Sequence, residues 1–188
     1  MSTSKGSVRI IAGEHGGRRL HFTDQGGDLR PSGDRLRETL FNWLQFELRD
    51  KRVLDLFAGS GVLAAEALSR GAAHAVLVER KAARAADLSK QIKAIFGDRA
   101  FIQQADALKW LARTGGPFDL VFIDPPWDLG LTEPACQALE DHALLAPNAL
   151  VYVESRSHDT APRVPDNWQL EKEKTGGDAR AQLFRRGP

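Results

Sequence analysis

An acidic residue, two prolines and a large aromatic ring, Asp124-Pro125-Pro126-Trp127, follow the apolar run Leu120 to Ile123. Four residues of that kind can orient an amine. An exocyclic amine on a base is a poor nucleophile because its lone pair is delocalised into the ring. A neighbouring carboxylate and backbone carbonyl that accept its N–H groups turn the lone pair outward, and Asp124 with the carbonyl of Pro125 supplies such a pair. Pro125 and Pro126 stiffen the backbone and need no donor partner. Trp127 offers a face on which a base stacks, worth about 1–3 kcal/mol in single-strand binders. Taken alone, the tetrapeptide reads equally as a Pro-Pro turn with an Asp cap.

A second constellation is Asp55-Leu-Phe-Ala-Gly59-Ser60-Gly61, between an apolar run and an Ala/Leu-rich stretch. Gly59 and Gly61 permit a tight turn and a close backbone approach, and the helix start beyond them offers free N–H groups. Glu79 ends the next apolar run, where an acidic residue takes two ribose hydroxyls. These residues indicate an adenosine-type cofactor. The same glycines satisfy the Gly-x-Gly-x-x-Ala fingerprint of nicotinamide and flavin enzymes, so that reading stays open. Asp55 favours S-adenosylmethionine, because a carboxylate beside the turn holds a cationic α-amino group and repels a pyrophosphate. Asp106 is placed either to accept from an adenine amino group or to cap the following helix.

A third group is cationic. Arg9, His15, Arg18, Arg19 and His21 crowd one predicted hairpin, and Arg30, Arg35 and Arg37 lie at or near the start of a predicted helix. A helix dipole prefers anions there, so the arginines point to a phosphate or carboxylate partner. The hairpin is either a solvated edge or a nucleic-acid contact arm whose cations meet phosphates.

The elements that must position these residues follow from pattern. Two short runs around Gly-Glu-His-Gly-Gly predict a β-hairpin over 7–22. Ser32 is the expected cap of a helix carrying Leu36, Leu40, Trp43 and Leu44 at helical spacing. From Arg52 onward strands and helices alternate: strands 53–57, 75–78, 101–104, 120–123 and 150–153, and helices 62–70, 82–96, 107–113 and 132–145, the last capped by Thr132. Gln169–Lys174 and Gln182–Arg185 close the chain as an antiparallel pair. Such alternation predicts a parallel three-layer α/β sheet.

The whole chain has 188 residues, 42% of them hydrophobic and 27% charged, which suits a globular domain with one real core. Neither an apolar run of membrane length nor a signal-peptide core is read, so a cytoplasmic protein is expected. The single cysteine, Cys136, excludes an internal disulfide and a Cys-based zinc cluster, and the scattered histidines lack ligand spacing, so no metal is expected. Carbon methylation of a pyrimidine needs a thiolate adduct. Cys136 reads as packing, and the expected target is therefore nitrogen. Residues 1–52 hold ten Lys/Arg against seven Asp/Glu, while 53–162 hold ten against fourteen. Basic ends around an acidic middle are compatible with a polyanionic partner.

From about Val8 to Phe184 the chain resembles the RsmD family, bacterial methyltransferases of the N2 amino group of a guanine in 16S ribosomal RNA. The resemblance is carried by Val8-Arg-Ile-Ile-Ala-Gly13, by Leu29-Arg-Pro-Ser-Gly-Asp-Arg-Leu-Arg-Glu-Thr-Leu-Phe-Asn-Trp-Leu44, by the glycine turn, by Asp124-Pro-Pro-Trp127 and by Tyr152-Val-Glu-Ser155. It implies a class I S-adenosylmethionine-dependent methyltransferase fold, Rossmann-like, with a mostly parallel seven-stranded sheet. Residues 1–28 would form an N-terminal β-hairpin extension and 29–188 the methyltransferase domain. S-adenosylmethionine would lie over the glycine turn and the base at Asp124. The expected partner is 16S ribosomal RNA within a small-subunit particle, met by a monomer. Two positions depart from the family: Ser32 stands where Thr is commoner, and Trp127 where Phe or Tyr is usual. Nothing in the residues alone chooses guanine over the amine of DNA adenine or protein glutamine.

Overall fold

Alternation of short apolar strands with amphipathic helices builds a three-layer α/β sandwich preceded by a hairpin. The computed structural model describes residues 3–25 and 34–188. The hairpin pairs β1 (Thr3–Arg9) with β2 (Arg19–Gln25), Arg9 opposite Arg19. Helix α1 (Asp34–Trp43) follows, and Ser32, its expected cap, lies outside the described residues. Then come β3 (Arg52–Asp55), α2 (Val62–Ser69), β4 (His74–Glu79), α3 (Ala82–Phe96), β5 (Ala100–Gln104) and α4 (Ala107–Leu111). The chain continues through β6 (Phe118–Ile123), α5 (Thr132–Asp141), β7 (Leu145–Arg156), β8 (Trp168–Gly176) and β9 (Ala179–Arg186).

Seven strands form one sheet in the order β5-β4-β3-β6-β7-β9-β8. The first five are parallel, and β9 pairs antiparallel with both β7 and β8. Because successive strand residues face opposite ways, each central strand feeds two cores. Val53, Leu120, Phe122, Leu150 and Tyr152 pack with α1, α2, α3 and the hairpin residues Ile10 and Leu20. Leu54, Val121, Ile123, Val151 and Val153 pack with α4, α5 and Trp168.

The expected helix 132–145 is shorter than its pattern, and β7 begins at Leu145. The Leu144 amide reaches back to the Leu139 carbonyl (2.9 Å) and that of Ala143 to Glu140 (2.9 Å), closing the helix with Ala143 at φ 51. Glycine usually takes that left-handed position, so an alanine hides the stop. Nor does Thr132 cap α5: Leu131 holds the cap position, with no side-chain hydrogen bond.

The hairpin is fastened at its turn. Glu66, fully buried in α2, accepts the amides of Ile11 (2.6 Å) and Ala12 (3.0 Å) and the Arg70 Nε (2.7 Å). Ser69 accepts the His15 amide at its hydroxyl (2.9 Å) and donates to the Ala12 carbonyl (2.6 Å). Gly13, at φ 84, lies so close that a Cβ would come within 2.0 Å of the Ser69 carbonyl oxygen. Farther along, Gln91 on α3 bonds the His21 backbone. Removing the carboxylate strands two amides and a partly buried guanidinium, so Glu66→Ala is expected to lower stability by about 3 kcal/mol or more. Urea unfolding measures the loss, and hydrogen exchange at Ile11 and Ala12 should accelerate; an unchanged midpoint with protected amides would contradict this account.

Candidate active site

The sheet order reverses between β3 and β6, and open α/β sheets form their ligand crevice at the carboxyl ends beside such a switch. Both motifs lie there. The chain leaves β3 through Leu56, whose amide donates to the Phe122 carbonyl of β6 (3.1 Å), and Ala58, whose amide donates to Val78 of β4 (2.9 Å). Gly59 (φ 53) and Gly61 (φ 75) then turn it into α2. A Cβ on Gly61 would meet Leu88 at 2.6 Å, so packing as well as backbone angle requires glycine.

Asp55, nearly inaccessible at 3% exposure, accepts the Ala64 amide at the first turn of α2 (3.2 Å). Burial pushes its carboxyl up to about 7, against the pull of that amide and with help from the Glu79 charge. Glu79 accepts the amides of Gly59 (3.2 Å) and Lys81 (2.7 Å) and lies 3.6 Å from Arg84 Nη1. A carboxylate has about four acceptor sites, so two amides leave capacity for a ligand hydroxyl. Asp106 caps α4 by accepting the Lys109 amide (3.2 Å) and is exposed at the cleft edge.

Beyond β6, Asp124 is half-buried, Pro125 buried and Pro126 exposed. The Pro126 carbonyl closes a tight turn by accepting the Leu129 amide (3.1 Å), which leaves the Pro125 carbonyl as the sequence neighbour of Asp124. The Arg156 guanidinium lies 5.7 Å from the centre of the Trp127 ring and donates to Asp128 (2.7 Å). Beneath Asp124, the Tyr152 hydroxyl donates to Glu154 Oε2 (2.8 Å). Burial, then the charges of Glu154 and Asp124, raise that phenol well above its ordinary value. Burial also raises the Glu154 carboxyl, with the Tyr152 hydroxyl opposing.

Asp55, Gly59, Ser60, Glu79, Asp106, Asp124 to Trp127 and Glu154 line one cleft of about 1030 Å³, while Gly61, Tyr152 and Arg156 lie outside its lining. From the hairpin, Arg9 and Arg19 join its wall. The other predicted cations divide. Arg18 and Arg35 are exposed but outside the wall, and Arg30 is outside the described residues. His15 packs edge-on against Phe96 at 5.0 Å. Arg37 also borders the cleft, but at 2% exposure it is almost covered, donating to the Arg9 carbonyl (2.9 Å) and supporting the hairpin from within. Among the described residues no cluster suited to a metal ion occurs, and no helix is long and apolar enough to cross a membrane. Cys136 is fully buried in α5, its thiol pushed up to about 12 by burial.

Sequence and switch-point geometry together define a Rossmann-like fold of the class I S-adenosylmethionine-dependent methyltransferases. A solved Escherichia coli structure, that of yhhF, described as a candidate methyltransferase, superposes with a TM-score of 0.88 at 42% identity, covering 97% of this chain and 99% of that one. Ribosomal RNA small subunit methyltransferase D of Escherichia coli K12 is 44% identical over 184 residues, 98% of this chain and 92% of that protein. The Haemophilus influenzae protein of the same name is 41% identical over 185 residues, 96% and 95% of the two chains. The family model described as Conserved hypothetical protein 95 matches residues 8–185. The chain belongs to that family, the RsmD family.

Glu66, Arg84 and Arg156 are functional neighbours that the motifs do not mark, and Tyr152 is marked only as part of the block Tyr152-Val-Glu-Ser155. A carboxylate in the otherwise apolar run Val62-Leu-Ala-Ala-Glu-Ala-Leu68 was a usable signal; the others acquire meaning only from neighbours distant in sequence.

Asp55 also makes a pH prediction. Its carboxyl titrates near 3.8 when unfolded and near 7 when folded, so the native state holds the extra proton between those values. That contribution to stability is complete below 3.8 and lost as pH rises through 7. Asp55→Asn is expected to remove this slope, up to about 1.4 kcal/mol per pH unit, which denaturant midpoints between pH 4.5 and 8 measure. A variant with the wild-type slope would contradict the assignment.

Proposed function

We propose that the protein methylates the exocyclic N2 amine of a guanine in 16S ribosomal RNA, using S-adenosylmethionine. The observation that carries this reading is the sharing of one cleft by a carboxylate-flanked glycine turn, Asp124-Pro-Pro-Trp127 and the arginines of a docked hairpin. The name borne by relatives 44% and 41% identical supports small-subunit ribosomal RNA as substrate. Residues 1–28 would serve as an RNA-facing extension of the domain formed by 29–188. We place the reaction in the cytoplasm, on RNA within a small-subunit particle and by a monomer.

The residues present fit the cofactor. Buried Asp55 and Glu79 make the turn hostile to a pyrophosphate and suited to a cationic amino group and a ribose. Asp106 borders the place an adenine would take. When bound, S-adenosylmethionine supplies a methyl on a sulfonium: its carbon–sulfur bond breaks as a carbon–nitrogen bond forms, leaving a neutral thioether and a surplus proton on the amine. Asp124 and the Pro125 carbonyl accept the amine N–H groups and hold the lone pair toward the donor, so alignment carries much of the acceleration. Asp124 passes the surplus proton to water. Trp127 stacks the base, which must leave its own stack to enter. Arg9 and Arg19 meet phosphates outside.

The test is incubation of the purified protein with methyl-labelled cofactor and unmodified small-subunit RNA or particles, followed by nucleoside analysis. Label is expected in N2-methylguanosine; label in adenine, or only in DNA or protein, would sink the proposal. Asp124→Ala should lower turnover about 10²- to 10³-fold while S-adenosylhomocysteine still binds. Conversely, Glu79→Ala should weaken that ligand about ten- to hundredfold in calorimetry; unchanged affinity would remove Glu79 from the cofactor site.

A further inference from the structure

Resting on the guanine reading above, we propose that Glu154 reads the base, accepting the ring N1–H of guanine beside the amine held by Asp124. β6 and β7 run parallel with Phe122 opposite Tyr152 and Ile123 opposite Val153. Phe122 and Tyr152 face the hairpin-side core, Ile123 and Val153 the other. Two residues beyond Phe122 and Tyr152, Asp124 and Glu154 therefore fall side by side on the hairpin side, and both border the cleft.

Glu154 is costly to keep there. It is 4% exposed at the end of the buried run Leu150-Val-Tyr-Val153, where a side chain with no task would serve better as valine or leucine. The Tyr152 hydroxyl engages one oxygen, Oε2, at 2.8 Å. Tyr152 is itself fixed by the Phe122 ring, whose centre lies 6.2 Å away. That bond orients the carboxyl and favours its ionised, accepting form against the effect of burial.

Two acceptors side by side make a chemical choice. On guanine the 2-amino group and N1–H are adjacent donors. On adenine and cytosine the amino group adjoins a bare ring nitrogen, itself an acceptor. Asp124 and Glu154 together match guanine and set acceptor against acceptor for the other two bases, the kind of repulsive element by which sites exclude competitors. A polar site rejects a ligand lacking the expected hydrogen because its own group is left unpaired.

The probe is 2-aminopurine, which keeps the 2-amino group but has an unprotonated N1, placed in the RNA at the methylated position. Rates per enzyme, as kcat/KM, are compared for guanine and 2-aminopurine RNA. Wild type should prefer guanine about ten- to hundredfold, the discrimination of one well-made polar contact to a base. Glu154→Gln, whose amide can turn its NH2 to the bare nitrogen, should bring the ratio to within a few-fold while S-adenosylhomocysteine still binds. Tyr152→Phe should narrow it less. If Glu154→Gln slows both RNAs alike, or if wild type methylates 2-aminopurine as well as guanine, the proposal is overturned; the wild-type ratio decides even if a variant does not fold. Wild type that labels no guanine would instead remove the underlying functional reading.

Discussion

The Glu66 carboxylate holds together parts that the chain makes separately. It sits in the middle of an apolar helix, fully buried, and takes two amides of the hairpin turn and the Arg70 guanidinium. A buried charge is tolerated only when its acceptor sites are filled by well-placed donors, so the hairpin must approach α2 in one orientation. That helix begins at the glycine turn. The wall carrying Arg9 and Arg19 is therefore referenced to the element that begins at the glycine turn, and the spacing between those cations and the rest of the cleft follows from one carboxylate.

Arg70 extends the same connection. Its guanidinium lies 5.2 Å from the centre of the Phe41 ring, Phe41 packs against Phe122 at 6.1 Å, and Phe122 against Tyr152 at 6.2 Å. The series ends at the hydroxyl bonded to Glu154. A packed interior transmits displacement because it has few voids to absorb it. Arg37 acts in the same sense, supporting the Arg9 carbonyl from beneath. Residues that look like surface cations in a linear reading thus divide into two kinds, those that face the solvent and those that brace the arm.

Acidic groups concentrate where the sheet changes direction. Asp55, Glu79, Asp124 and Glu154 stand at or near the ends of four adjacent parallel strands, and two of them, Asp55 and Glu154, are raised by burial. Repulsion among them is relieved by amides from the glycine turn, by the nearby Arg84 and by the Tyr152 hydroxyl. Groups held this way are ready to meet hydrogen-bond donors and cations, and a ligand that brings both relieves the remaining cost. A site built to accept is the physical meaning of the cleft.

Much of this was legible in the residues themselves. Periodicity and glycine placement determined the strand–helix alternation, the bounds of α3, the glycine turn and the end of β6 at Asp124, because those signals are local: apolar spacing, the absence of a Cβ, a proline that cannot donate. The length of α5 was not legible, since Ala143 takes a left-handed position that glycine normally marks. Nor were the burial of Arg37, the anchoring role of Glu66 or the pairing of Asp124 with Glu154. Glu66 meets Ile11 across 55 residues, and Arg37 meets Arg9 across 28. Such contacts depend on strand order and register, which no single stretch of sequence encodes. Local chemistry could nominate Asp124-Pro-Pro-Trp127 as a place to hold an amine; only the parallel pairing of β6 with β7 set a second carboxylate beside it.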